Sequence, residues 1–456
     1  MSAAAAPPGG PLPGDAPAEH DAYEATLAWM LGLEARRGMD FKLERVAAAL
    51  AAVGDPQRAY RTIHVAGTNG KGSVAAMAEA ILRAAGLRTG LYTSPHLVDF
   101  RERIRVAGAW VPRAAVVADV ARVRASVDVA ATGLTFFELA TIIAFLHFAR
   151  ERVAVAVVEV GLGGRLDATN VIDGDVAVIT SIGFDHEAFL GNTLAAIAGE
   201  KAGILRAGRP AIIGALAPEA MAAVEASARR VGAPLLRLGR EIRVESGADG
   251  MDFHGPRRTL AGLRPGLHGE HQHDNAALAI AAVDELQGGL VDARAVRAGI
   301  GGVRWPGRLE TVGVEPPVVL DAAHNPDGMR VLARELAGLV GGRPVHLVFG
   351  VLGDKRWEEM VDAIAPRVAR VSVVRVPVPR TAEPDVVARR FARYCPADVV
   401  EDPREAVSRA VAEASSGAAA VVVAGSVFLI GAVRELFAGT AGAEPARSAD
   451  ASRPVG

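Results

Sequence analysis

The stretch TIHVAGTNGKGSVAAMAEAIL, Thr62–Leu82, decides the fold. TIHVA at 62–66 reads as a short buried strand, and the alanine-rich run from about 71 to 85 as a helix. Between them lies VAGTNGKGS, Val65–Ser73. Glycines let a backbone turn tightly and aim successive N–H groups at phosphate oxygens, where the helix dipole also favours an anion. Gly67, Thr68, Asn69, Gly70, Lys71, Gly72 and Ser73 are therefore the candidate phosphate cradle. Lys71 is placed to meet the β- and γ-phosphates of a nucleotide, and the Ser73 hydroxyl to meet Mg2+. The strict pattern G-x-x-x-x-G-K-[ST] is not met, because the first glycine stands too close and Gly72 separates lysine from serine. A glycine-rich turn with a chance lysine is the competing reading.

Working outward, apolar runs alternate with helical patterns. A helical stretch at 21–52 precedes the loop, and LRTGLYT follows it as a strand. FFELATIIAFLHFARE (136–151) is apolar nearly all round and reads as a buried helix. VAVAVVEV (153–160) and DVAVITSI (175–182) are the β-branched runs of central parallel strands. The α/β pattern continues to about 300. GGVRWPGR (301–308) reads as a linker, and a second series follows: PVVLDAA, VHLVFG, VSVVRV and AAVVVAG as strands, separated by amphipathic helices. The expected organisation is a disordered tail at 1–20, a phosphate-binding α/β domain at 21–300, the linker, a smaller doubly wound Rossmann-like domain at 309–438, and a tail at 439–456.

Composition supports this and excludes other classes. The chain has 456 residues, which suits two or three domains. Half of the residues are hydrophobic and 22% charged, a globular mix. A net charge of −2 and aromatic-poor motifs offer no platform for nucleic acid. A single cysteine, Cys395, excludes a disulfide framework. No apolar run approaches a membrane helix, and the Ala/Pro/Gly-rich N-terminus lacks a basic n-region, so a cytoplasmic protein is expected. Only four of the 50 basic residues are lysine: Lys42, Lys71, Lys201 and Lys355. In a chain that uses arginine by default, a retained lysine points to a role for a compact or titratable cation.

Further motifs share one geometry, a polar residue at the C-terminal end of an apolar strand. In open α/β sheets ligands bind there. VVEVGLGGRLDATN places Glu159 at such an end. A buried carboxylate must be paired, protonated or holding a metal, and Arg165 is the nearest structural partner. ITSIGFDHEAFLG places Asp185 and His186 likewise; a neutral imidazole can ligate a cation, and a purely structural histidine is the alternative. Lys201 in GEKAGI could be a surface lysine pairing Glu200, or a carbamylated lysine acting as an anion. Asn275 in GEHQHDNA, Arg308 in WPGRLE, and Asp321 and His324 in LDAAHNPDG complete the candidates.

Together these motifs resemble the folylpolyglutamate synthase and dihydrofolate synthase family, a branch of the Mur-type ATP-dependent amide ligases. The carrying segments are HVAGTNGKGS, LYTSPHLVDFRERI, TFFELAT, VVEVGLGGRLDATNVI, TSIGFDHEAFLG, EKAGI, WPGRLE, DAAHNP and GSVFLIG. Gly72 is informative, since Mur peptide ligases typically carry threonine there. The resemblance implies an ATPase domain like the central domain of Mur ligases, a Rossmann-like second domain, and a site between them. It implies ATP and Mg2+ as cofactors, with Lys71 and Ser73 on the phosphates and metal, and Ser94, Glu159 and His186 on Mg2+. Lys201, if carbamylated, would serve a second Mg2+. Asn275, Arg308 and Asp321 would bind nucleotide, with His324 facing the site. Lys71, His186 and Lys201 are the implied catalytic residues. The implied substrates are a folate or dihydropteroate and L-glutamate, and the family is usually monomeric. Another Mur-type ligase acting on a peptidoglycan precursor, or a P-loop hydrolase or kinase, are the competing readings. Three departures from the family pattern stand out: Glu187-Ala188 where a threonine often follows the histidine, DKRW (354–357) for the commoner DKD, and Ala322 where valine is frequent.

Overall fold

Strands apolar on both faces need helices on either side to exclude water. The computed structural model, which describes residues 17–34, 42–247, 250–417 and 419–437, solves this twice. In the first domain, β1 (Arg61–Ala66), β2 (Thr89–Tyr92), β3 (Ile104–Val106), β4 (Ala109–Trp110), β5 (Val155–Glu159), β6 (Val176–Ile179), β7 (Ala211–Ile213) and β8 (Leu235–Arg237) form one sheet. Its order is β4-β3-β2-β5-β1-β6-β7-β8, with every pairing parallel except the two made by β3. β1 lies between β5 and β6, with Val65 opposite Glu159 on one side and Val178 on the other. Three of the candidate motifs therefore leave the sheet side by side.

Helices Lys71–Ala84, His271–Gln287 and Ala293–Gly302 pack on one face around Met77, Ile81 and Leu278. The other face is covered by the helix Phe136–Arg150. Its near-uniform apolarity has a reason: it is sandwiched between the sheet and the helices Pro17–Glu34 and Arg113–Ser126. A capping box between Thr135 and Glu138 fixes its start.

Two expectations change here. The helix Pro17–Glu34 begins inside the expected tail; residues 1–16 and 439–456, the rest of the two expected tails, lie outside the described residues. Within the run read as α/β, β9 (Arg243–Gly247), β10 (Gly250–His254) and β11 (Thr259–Leu263) form an antiparallel sheet. The middle strand, β10, alternates in burial, as a strand of a sheet with one wet face does.

The second domain follows the helix Ala293–Gly302, which takes up the first two residues of the expected linker. Strands β12 (Glu310–Val314), β13 (Pro317–Asp321), β14 (Val345–Phe349), β15 (Arg370–Val374), β16 (Ala397–Val400) and β17 (Ala420–Ala424) take the order β12-β13-β17-β14-β15-β16, with only β12 antiparallel. Helices Pro326–Val340, Trp357–Ile364 and Pro384–Phe391 cover one face, and Pro403–Gly417 and Val427–Arg434 the other. Among the described residues no helix is long and apolar enough to cross a membrane.

Phe391 is fully buried and meets Phe349 edge-on at 5.2 Å. Truncation in Phe391→Ala is expected to cost the second domain about 3–5 kcal/mol, read by calorimetry. An unchanged thermogram would place Phe391 outside the core.

Candidate active site

The glycine loop leaves β1 and is stapled to the chain that follows β6. Thr68 N–H donates to Ser181 O (2.8 Å), and Asn69 N–H to Ser181 Oγ (2.9 Å). Thr180 Oγ1 donates to Asn69 O at 2.6 Å. Gly67 makes this possible: its φ is +151°, and a Cβ there would lie 1.9 Å from Thr180 Oγ1. The amides of Thr68 and Asn69 are thus spent on structure. The helix Lys71–Ala84 has no side-chain cap, so its first-turn N–H groups remain available to an anion.

Two lysines converge on the carbonyl oxygen of Gly67. Lys71 Nζ donates to it at 3.1 Å and to Thr68 O at 3.2 Å. Lys201 Nζ, from the last residue of the helix Leu194–Lys201, donates to it at 2.9 Å. Lys201 is 5% exposed and is not the surface partner of Glu200, which pairs with Arg165 at 2.8 Å. Burial, with Lys71 close by, pulls the Lys201 ammonium down to about 7.

Glu159 ends β5 and is buried. Arg165 is occupied elsewhere, so the structural ion pair does not form. Among the described residues the Glu159 carboxylate accepts one hydrogen bond, from Ser94 N–H at 3.2 Å, and has no salt bridge. Burial pushes its pKa up, against the pull of Lys71, the Ser94 bond and Arg308. His186 sits nearby with a left-handed φ of +52°, rare for a non-glycine residue. Burial pulls its imidazole down to about 4, leaving a neutral ring with a lone pair. Arg308 donates only to its neighbour Gly307 O, at 3.1 Å, and has no carboxylate partner among the described residues.

The second domain closes over these groups. Lys71, Ser73, Ser94, Glu159, His186, Lys201, Asn275, Arg308, Asp321, His324 and Gly67–Gly72 all line one cavity of about 450 Å³, within the range of small-molecule sites. Asn275 Oδ1 lies against Gly70. Asp321 spends both oxygens on the domain crossing, accepting from Leu309 N–H (2.8 Å) and Ala323 N–H (2.9 Å). No group of three His, Cys, Asp or Glu side chains converges on a metal position among the described residues.

Residues 65–283 match the Mur ligase middle domain, and 307–427 the Mur ligase glutamate ligase domain. A dihydrofolate synthase/folylpolyglutamate synthase of Mycobacterium tuberculosis is 39% identical over 442 residues, covering 88% of this chain and 90% of the relative. The chain belongs to the folylpolyglutamate synthase/dihydrofolate synthase family. It is an ATP-dependent, amide-forming ligase of that type. The M. tuberculosis folylpolyglutamate synthase complexed with ADP matches with a TM-score of 0.86 and 38% identity, over 92% of this chain and 99% of that one. Escherichia coli FolC in complex with DHPP and ADP matches at 0.83 and 34%, over 90% and 97%. The bifunctional Yersinia pestis synthase complexed with AMPPNP and Mn ion matches at 0.81 and 33%, over 90% and 97%.

Sequence reasoning singled out Asp185, His324 and Lys355 but missed that the two domains of this ligase meet through them. Asp185 pairs with Lys355 Nζ at 2.6 Å and lies 3.4 Å from His324 Nε2, both from the second domain. Burial alone would raise the Asp185 carboxyl; His324, His186 and Lys355 together hold it well below the usual carboxylate range. Lys355 is one of the four lysines, and the scarcity argument, extended to it, points to this role. Asn69 and Asn325 exchange amide hydrogen bonds of 3.2 and 2.9 Å across the cleft, a contact without any sequence signal.

The family glycine at position 72 also has a physical reason here. A Cβ on Gly72 would lie 2.8 Å from Nε1 of Trp305, whose ring is backed by the Arg105 guanidinium at 5.0 Å. Gly72→Thr is therefore expected to displace Trp305 and weaken ADP binding by about tenfold, measured by titration calorimetry. Trp305→Ala in the same chain is expected to recover most of that loss. No recovery would show that the indole is not what excludes a side chain.

Proposed function

We propose that this enzyme joins L-glutamate to tetrahydrofolates and to dihydropteroate, in both cases by way of an acyl phosphate. One observation carries the reading: two cations with no carboxylate partner among the described residues, Lys71 and Arg308, and a buried carboxylate with no salt bridge among them, Glu159, line one cavity. A carboxylate is a poor acyl donor. The γ-phosphoryl group of ATP is transferred to it, and ADP leaves. Lys71, Arg308 and the helix N-terminus neutralise charge on the transferring group, which is most of what a protein can contribute to this step. The α-amine of glutamate then attacks the acyl carbon, and phosphate leaves. Closure of the second domain keeps water from the acyl phosphate.

A divalent cation fits the donor set. Glu159 is a buried carboxylate with no salt-bridge partner among the described residues, and the neutral His186 ring and the Ser94 and Ser73 hydroxyls share its cavity. These residues would hold Mg2+, which when bound supplies charge stabilisation at the phosphates. The Yersinia relative, with Mn ion and AMPPNP, supports this. Lys201 suits a carbamate: its neutral amine adds to CO2, loses a proton, and becomes an anion beside Lys71. The relatives whose names combine dihydrofolate synthase and folylpolyglutamate synthase support both activities.

Mass spectrometry of products from Mg-ATP, L-glutamate and either dihydropteroate or tetrahydrofolate tests the substrates. Glutamate addition to both is expected; addition to one alone would remove the bifunctional reading. Lys71→Ala is expected to abolish ADP formation with the fold intact by circular dichroism, and activity within about tenfold of the parent would overturn its role. For Lys201, protonation blocks the amine below its pKa of about 7, so carbamate should grow as pH rises through that value. NMR with 13C-bicarbonate reads this directly. A carbamate signal unchanged in Lys201→Ala would assign it elsewhere.

A further inference from the structure

Two of the departures from the family pattern meet in space. Glu187 follows His186 in the first domain, and Arg356 lies in the DKRW segment of the second, 169 positions away. The Arg356 guanidinium grips the Glu187 carboxylate as a fork, Nε to Oε1 at 2.6 Å and Nη2 to Oε2 at 2.7 Å. This bidentate geometry is the strong form of the pair. The same guanidinium lies 4.0 Å from the ring centroid of Phe184, and its third nitrogen donates to Glu359 at 3.2 Å. One residue earlier, Lys355 holds Asp185. His186 thus sits between two carboxylates gripped by consecutive cations of the opposite domain.

We infer that Arg356, Glu187 and Phe184 form a clamp that holds the two domains of this enzyme closed and fixes the loop carrying His186. None of the three lines the cavity, so they are positioning residues. His186 needs such support, since its left-handed backbone persists only where its surroundings hold it. The four-residue helix Glu187–Leu190 that follows it is too short to do so alone. The inference rests on the proposed reaction in one respect: closure protects the acyl phosphate. With the clamp gone, the cleft opens more often and water competes with glutamate.

The experiment measures ADP released per glutamylated folate formed, for the parent, Arg356→Ala, Glu187→Ala, the double variant and Arg356→Lys. Each alanine variant is expected to raise that ratio and the KM for glutamate about two- to fivefold, the size expected for losing one partly exposed ion pair. ADP formation itself should change little. The double variant should be no worse than either single one, because both remove the same contact. Arg356→Lys, which keeps the charge but loses the fork, should lie between. An unchanged ratio in every variant, or strictly additive losses, would overturn the clamp. A second readout does not depend on folate chemistry: small-angle scattering with ADP should show Arg356→Ala more expanded than the parent, and superimposable curves would overturn the clamp as well. A parent that makes no glutamylated product would overturn the reaction instead, and the scattering comparison would still decide the clamp.

Discussion

One backbone oxygen, the carbonyl of Gly67, accepts hydrogen bonds from two lysine ammonium groups, and the site is organised around that constraint. Like charges so close are stable only if one is discharged or an anion joins them. The fold arranges for both. Lys201 is buried at the end of a helix, where water cannot sustain its charge. Lys71 begins a helix whose N-terminus has no side-chain cap, and the first-turn N–H groups there favour an anion. The oxygen points inward because Gly67 adopts a backbone angle and a closeness to Thr180 that a side chain would prohibit. Placing β1 between β5 and β6 then sets Glu159 and the Asp185–His186 turn on either side of the same loop.

The second domain supplies what the first lacks. The first presents a glycine loop, a buried carboxylate and a neutral imidazole; the cationic Arg308 arrives on the crossing between the domains, where Asp321 accepts the N–H of the next residue, Leu309. The two domains have separate cores, and they meet through specific polar pairs together with the apolar Leu97, which packs against the core of the second domain.

Much of this is legible in the sequence, for physical reasons that can be named. The glycine loop, Glu159 and His186 are readable because each is a chemical oddity at a predictable place, the carboxyl end of a buried strand. The alternation of strand and helix gives the two sheets, since burial on both faces requires unbroken apolar runs. Contacts between distant segments are not legible in this way. Lys355 lies 170 positions from Asp185, and no local periodicity relates them. Asn325 acts through hydrogen bonds to Asn69, and Trp305 through shape against Gly72, and neither is visible until the chain is folded. The sheet β9–β11 escapes for a different reason: its strands are short, half-wet and rich in turn residues, so they resemble loops.

The paired amides of Asn69 and Asn325 carry a consequence of another kind. They are uncharged, so dissolved ions do not screen them, whereas the partly exposed pair at Glu187 weakens as ionic strength rises, and the buried pair at Asp185 does so much less. One set of contacts therefore sets the alignment of the two halves and the other the strength with which they hold. Because Asn69 belongs to the glycine loop, a ligand that orders the loop also steadies the seam, and by thermodynamic reciprocity a closed seam tightens the grip on that ligand.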